Sequence, residues 1–106
     1  MERAKDSSRD IKMISDVNYF SSLPKKRMAA EVLFVNDKGH VLLVKPSYKD
    51  NWGVPGGVVE SNESPMQAAK REIKEELGLN IDKLRFLGVD YAIPSGPKDE
   101  SLMFVF

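Results

Sequence analysis

The chain has 106 residues, 42% hydrophobic and 30% charged, which leaves room for one domain with a single core. Sixteen Lys and Arg residues cancel sixteen Asp and Glu residues, so no net field favours a nucleic-acid polymer or an anionic membrane. Cysteine is absent, which excludes disulfides and thiolate metal sites. No apolar run is long enough to span a bilayer, and the N-terminal MERAKDSSRD lacks the hydrophobic core of a signal peptide.

These properties predict a soluble, cytoplasmic protein. Residues 1–26 read as a polar arm in which Ile11, Ile14, Val17 and Phe20, three apart, suggest a short, weak helix. Lys25, Lys26 and Arg27 form too short a cluster to make a basic patch. Segments 27–35 and 40–45 are rich in β-formers and flank the turn residues Asn36, Asp37, Lys38 and Gly39, which predicts a hairpin. His40 stands alone at the start of the second strand, where a surface position is the ordinary reading, and it is assigned no role.

The next segment, from Asn51 to Gly57, combines an aromatic residue, a proline and three glycines, a composition that lets backbone turn sharply and approach a ligand closely. Gly56, Gly57 and Trp52 are therefore candidates for substrate binding. An aromatic beside a tight turn is expected to pack rather than stack, and that is the favoured reading of Trp52.

A helix is predicted over 65–77. Ser64 can cap it, Pro65 suits the first helical position, Gln67 completes a capping box, and Gly78 supplies the left-handed residue that ends it. At about 100° per residue, Glu72, Glu75 and Glu76 fall within an arc of roughly 100°, beside the apolar stripe Ala69, Ile73 and Leu77. Such a helix would bury the stripe and turn the glutamates outward. Taken alone, KREIKEE (70–76) would be an ordinary solvated face. Three crowded carboxylates repel, a cost that makes sense if a divalent cation is their partner, and hard oxygen donors favour Mg²⁺ or Mn²⁺. Beyond the helix, segments 84–93 and 101–106 read as strands joined by a loop over 94–100, and Asp99 and Glu100 there are available acids. The order of strands, acidic helix and further strands indicates an α+β domain, with a mixed sheet and helices in an α/β/α sandwich.

Over the 23 residues from Gly57 to Leu79, Gly57, Glu63, Arg71-Glu72-Ile73, Glu75-Glu76 and Gly78-Leu79 fall at the spacings that define the Nudix box. The chain thus resembles the Nudix hydrolases, and Trp52, Val54, Pro55, Gly56 and Gly57 match that family's usual lead-in. The coupling of Gly57 and Glu63 to the acidic helix is what a merely solvated helix would not require.

The resemblance implies a metal-dependent hydrolase of diphosphate linkages in nucleoside diphosphate derivatives, using Mg²⁺ or Mn²⁺. It implies metal ligation by Glu72, Glu75, Glu76 and the Gly57 carbonyl. The same three glutamates are the catalytic candidates, with Glu72 first choice as base. It also implies that Glu63 and Arg71 pair to hold loop and helix in register. The alternatives are a Nudix-like module that senses a nucleotide without cleaving it, and an inactive fragment of such an enzyme. The expected domain is 27–106, and it looks incomplete at the C-terminus, because Nudix domains normally continue past this point. A terminal apolar strand left exposed would recruit another chain, which predicts a homodimer or a swapped assembly. Tyr48, Trp52 and Tyr91 are the residues available to stack on a base, although the substrate itself stays open.

Overall fold

The computed structural model describes residues 16–48 and 50–106. Helix α1 (Asp16–Ser22) leads into strand β1 (Arg27–Glu31); β2 (Gly56–Val58), helix α2 (Pro65–Leu77), β3 (Gly88–Ala92) and β4 (Ser101–Val105) follow. The four strands form one mixed sheet in the order β2-β1-β4-β3. β1 pairs antiparallel with β2 and parallel with β4, and β3 pairs antiparallel with β4. The α+β class read from the sequence is the class observed.

Every capping residue of α2 does what its chemistry allows. The Ser64 side chain accepts from the Gln67 N–H at 3.1 Å, and the Gln67 side chain accepts from the Ser64 N–H at 2.7 Å. At the other end Gly78 takes a left-handed conformation, φ 72°, and its N–H donates to the Lys74 carbonyl. Two of these bonds satisfy N–H groups and one a carbonyl that the helix leaves without intrahelical partners.

The core lies between α2 and the sheet. Ala30 and Val32, on one face of the β1 segment, pack with Ala68, Ala69, Ile73 and Phe106, all buried. Small residues let the helix sit close to β1. Ala68 was not part of the predicted stripe; it is buried because α2 lies against both β1 and β2. Phe86, itself half exposed, meets Phe106 edge-on, with ring centroids 5.8 Å apart.

Three sequence expectations need adjustment. The hairpin after β1 exists as a loose ribbon: Leu42 N–H donates to the Phe34 carbonyl at 2.9 Å, and Asn36 N–H to that of His40 at 3.0 Å. It is not two continuous strands, because residues 32 and 33 instead donate to Pro55 and Phe106. The strand expected over 84–93 shortens to Gly88–Ala92, the stretch that pairs with β4. Most consequential, β4 is not an exposed terminal strand. It lies between β1 and β3 and is hydrogen-bonded on both sides, which removes the physical reason given for a homodimer.

Of the weak N-terminal helix, Val17 and Phe20 fall on α1, which buries none of its residues; Ile11 and Ile14 lie outside the described residues. Among the described residues no helix is long and apolar enough to cross a membrane.

Candidate active site

The glycines at the start of β2 permit two close approaches. A Cβ on Gly56 would collide with the Ala30 carbonyl and lie 2.6 Å from the Glu31 Cα, and its φ of 155° is one that side-chain-bearing residues rarely adopt. A Cβ on Gly57 would collide with the carboxyl carbon of Glu72 and lie 2.7 Å from its Oε1. The Glu72 carboxylate thus fills the space that any larger residue at 57 would occupy. This qualifies the expectation that the glutamates look outward. Glu72 is only 16% exposed and is tucked against β2, whereas Glu75 is 59% exposed.

Arg71 organises the remainder. Its Nε donates to Glu63 Oε2 at 2.7 Å and one terminal nitrogen donates to Glu63 Oε1 at 3.0 Å, a two-point grip. The latter nitrogen also reaches the Val58 carbonyl at 3.0 Å. The other terminal nitrogen donates to Glu72 Oε2 at 2.9 Å and to Glu75 Oε1 at 3.3 Å. The loop delivers Glu63 through a turn in which Asn62 adopts φ 61°, a conformation that asparagine tolerates. Glu63 Oε1 also accepts from the Glu60 N–H at 3.0 Å.

The hydrogen bonds from Arg71, then that from Glu60, hold the Glu63 carboxyl below its ordinary value. The Arg71 guanidinium is correspondingly held in its charged form, chiefly by Glu63. The pairing of Glu63 with Arg71 is therefore present, while the links from Arg71 to Glu72, Glu75 and Val58 were not anticipated. The i, i+4 spacing of Arg71 and Glu75 signalled one of them; nothing in the sequence signalled the Val58 carbonyl.

Glu76 accepts the Gly56 N–H at 3.0 Å. Glu72, Glu75 and Glu76 thus share one face of α2, with Glu72 and Glu75 held by Arg71 and Glu76 held by the Gly56 N–H. Among the described residues no three acidic or imidazole groups lie together as a ready-made cation cage. The donors do fit a hard divalent ion: all are oxygens, and the bare Gly57 backbone lets Glu72 lie directly against it.

Trp52 does not pack in the core. It is 64% exposed and lines a cavity of about 70 Å³ with Tyr48, Gly56 and Glu76. Tyr91 lies elsewhere, on β3 at the opposite edge of the sheet from β2, and donates to Glu100 Oε1 at 2.6 Å. Glu100 also pairs with Lys26 at 2.6 Å, so its carboxyl is held below its ordinary value, first by Lys26 and then by Tyr91. Asp99 presents its backbone carbonyl to Arg27. Neither acid belongs to the group around Gly57. His40 lines a separate groove beside Phe34 and Leu42.

The fold and the box have counterparts among known proteins. The model of the NUDIX domain matches residues 25–106. An RNA pyrophosphohydrolase of Hydrogenovibrio crunogenus is 44% identical over 57 residues, 54% of this chain and 34% of that protein. Diphosphoinositol polyphosphate phosphohydrolase 2 of Rattus norvegicus is 46% identical over 66 residues, 61% of this chain and 37% of that protein. The chain thus matches little more than a third of these curated relatives' lengths. A MutT NUDIX hydrolase from Burkholderia pseudomallei superposes with a TM-score of 0.67 at 30% identity, covering 77% of this chain and 65% of that one. With a domain match over most of its length and the box intact on a capped helix, the chain belongs to the NUDIX family of hydrolases.

Proposed function

We propose that this chain hydrolyses a diphosphate linkage in a nucleoside diphosphate derivative, with Mg²⁺ or Mn²⁺ as cofactor. The observation that carries this reading is the seat of Glu72 against Gly57, with Glu75 and Glu76 on the same helix face. The related proteins support the reaction class, since both curated relatives are named for cleaving phosphate from a larger molecule. Their names also raise two substrate chemistries, a nucleotide-based one and an inositol-based one. In this reading the functional unit is 27–106, with 1–26 an accessory arm, and it works in the cytoplasm, where nucleotides are found.

Glu72, Glu75, Glu76 and the Gly57 carbonyl would hold the ion. When bound, a divalent cation neutralises charge on the diphosphate oxygens and acidifies a water. The chain's own residues do the rest. Arg71 grips Glu63 and steadies Glu72 and Glu75, fixing the direction in which their oxygens point. Glu72, partly shielded from solvent, takes a proton from the water that attacks phosphorus, and the P–O anhydride bond breaks with the second phosphate leaving.

The test is product release from a panel of nucleoside diphosphate derivatives with Mg²⁺ or Mn²⁺, beside Glu76→Gln. The amide keeps an oxygen to accept the Gly56 N–H while losing the charge, so activity should fall by orders of magnitude. Full turnover in the variant contradicts the assignment. Mn²⁺ binding with no turnover of any substrate would indicate the sensing or fragment alternative instead.

A further inference from the structure

We infer that β3 is a pairing edge for a second copy of this chain, joining two four-stranded sheets into one through the β3 strand of each. The inference stands apart from the hydrolase reading.

The two edges of the sheet are finished differently. On β2, the edge at one end, the Gly56 N–H donates to Glu76 and the Val58 carbonyl accepts from Arg71, so side chains of α2 already meet that edge. β3 lies at the other end and has no such cover. Phe106 turns both of its backbone groups toward the β1 segment, donating to the Glu31 carbonyl at 3.0 Å and accepting from the Leu33 N–H at 2.8 Å. Successive residues of a strand alternate sides, so Ser101, Met103 and Val105 turn theirs toward their β3 partners Ala92, Asp90 and Gly88. Val89 and Tyr91 are left with N–H and C=O directed out of the sheet. Among the described residues nothing bonds these groups.

The side chains along this edge are apolar and uncovered. Val89 is 48%, Tyr91 50% and Ile93 72% exposed. Tyr91 is also held in place, because its hydroxyl donates to Glu100 at 2.6 Å and Lys26 grips the same carboxylate. An edge strand with open backbone groups and an apolar face pairs with another strand unless a lysine, a proline or the like blunts it. Gly88–Ala92 contains neither.

Of the twofold registers that pair Val89 or Tyr91 with the partner strand, one fits best. An axis at Asp90 sets two Asp90 carboxylates opposite each other, which like charge disfavours. An axis at Val89 puts Tyr91 opposite the partner's Leu87, a residue whose N–H is committed to the Val105 carbonyl at 2.8 Å. An axis at Tyr91 sets the two tyrosines opposite one another and Val89 opposite the partner's Ile93, with Asp90 facing the partner's Ala92. This register is self-complementary, as an isologous interface requires, and it places apolar against apolar. The Ile93 backbone, without a bond among the described residues, completes the ladder. Val89, Tyr91 and Ile93 carry no charge that would select a charged foreign segment over another copy.

Edges this short fall below the roughly 1,200 Å² at which stable interfaces begin, so the pair is reversible and concentration-dependent. Because α2 packs on β1 and β2, away from β3, pairing leaves both acidic helices open.

The test is sedimentation of the full chain from about 1 µM to about 1 mM, with neither substrate nor divalent cation, so its outcome is independent of hydrolysis. The mass should rise with concentration from one copy toward two. Ile93→Lys alters both Val89–Ile93 pairs across the axis and should raise the dissociation constant about 2- to 30-fold, with circular dichroism to confirm folding. The chain has no cysteine, so single-cysteine variants report the register. On oxidation Tyr91→Cys should form a disulfide-linked pair and Val89→Cys should not, since only residues directly opposite come within disulfide reach. A single copy across the whole range, a mass that climbs past two copies, or an Ile93→Lys variant that pairs as the wild type does overturns the inference. So does cross-linking of Val89→Cys in preference to Tyr91→Cys, or no cross-link in Tyr91→Cys at concentrations where the wild type is paired.

Discussion

Gly57 on β2 and Glu72 on α2 meet so closely that a Cβ at Gly57 would stand 2.7 Å from the Glu72 Oε1 and closer still to other atoms of that carboxylate. The contact joins the sheet to the acidic helix at the point where the box begins. Gly57 is not in a left-handed conformation, so the requirement for glycine there is one of space.

Gly57→Ala should therefore leave the backbone allowed and push the Glu72 carboxylate aside. A displacement of about 1 Å at a reacting group costs roughly 100-fold in rate, and overpacking costs about 1 to 3 kcal/mol of stability. Steady-state kinetics beside thermal unfolding checks this. Wild-type kcat in the alanine variant would show that Glu72 need not sit where it does.

Arg71→Lys keeps a positive charge and loses the fork that reaches Glu63, Glu72 and Glu75 together. Residues that orient metal ligands typically cost about 10- to 100-fold in activity or metal affinity when changed, and Mn²⁺ affinity should fall with activity.

Glu63 supplies a pH signature for the same pair. Its folded pKa lies below the ordinary value of 4.5, so its stabilising effect is present above 4.5 and lost as pH falls through the lower folded value. Glu63→Gln should thus lower the melting temperature most near neutrality, with the gap from wild type closing in acid. A gap that widens in acid would contradict the pairing.

Ser64→Ala removes the acceptor for the Gln67 N–H and should cost about 1 kcal/mol. Denaturant titration would report it as a lower midpoint at unchanged slope. A loss of activity larger than that of stability would show that the cap also fixes the glutamates.

Chelating divalent cations should abolish turnover, and adding Mg²⁺ or Mn²⁺ back should restore it. Undiminished hydrolysis in excess chelator would refute the proposed role of the acidic face.

The sequence by itself determined what local chemistry controls. Ser64, Pro65, Gln67 and Gly78 set the limits of α2 through capping bonds between near neighbours, and the 3.6-residue period put Glu72, Glu75 and Glu76 on one face with Ala69 and Ile73 beside them. The box likewise carried the Glu63–Arg71 pair. Tertiary structure alone decided relationships between residues far apart in the chain. Sheet order made β4 an interior strand, because pairing partners are chosen by the whole fold. Close packing of α2 on β1 and β2 buried Ala68 and drew Glu72 inward against Gly57. Trp52 was expected to pack, and the fold left it in solvent beside Glu76 instead. Capping and helical periodicity act over a few residues and are legible in order along the chain. Strand neighbours and the exposure of a loop aromatic depend on contacts spanning tens of residues, which no local pattern encodes.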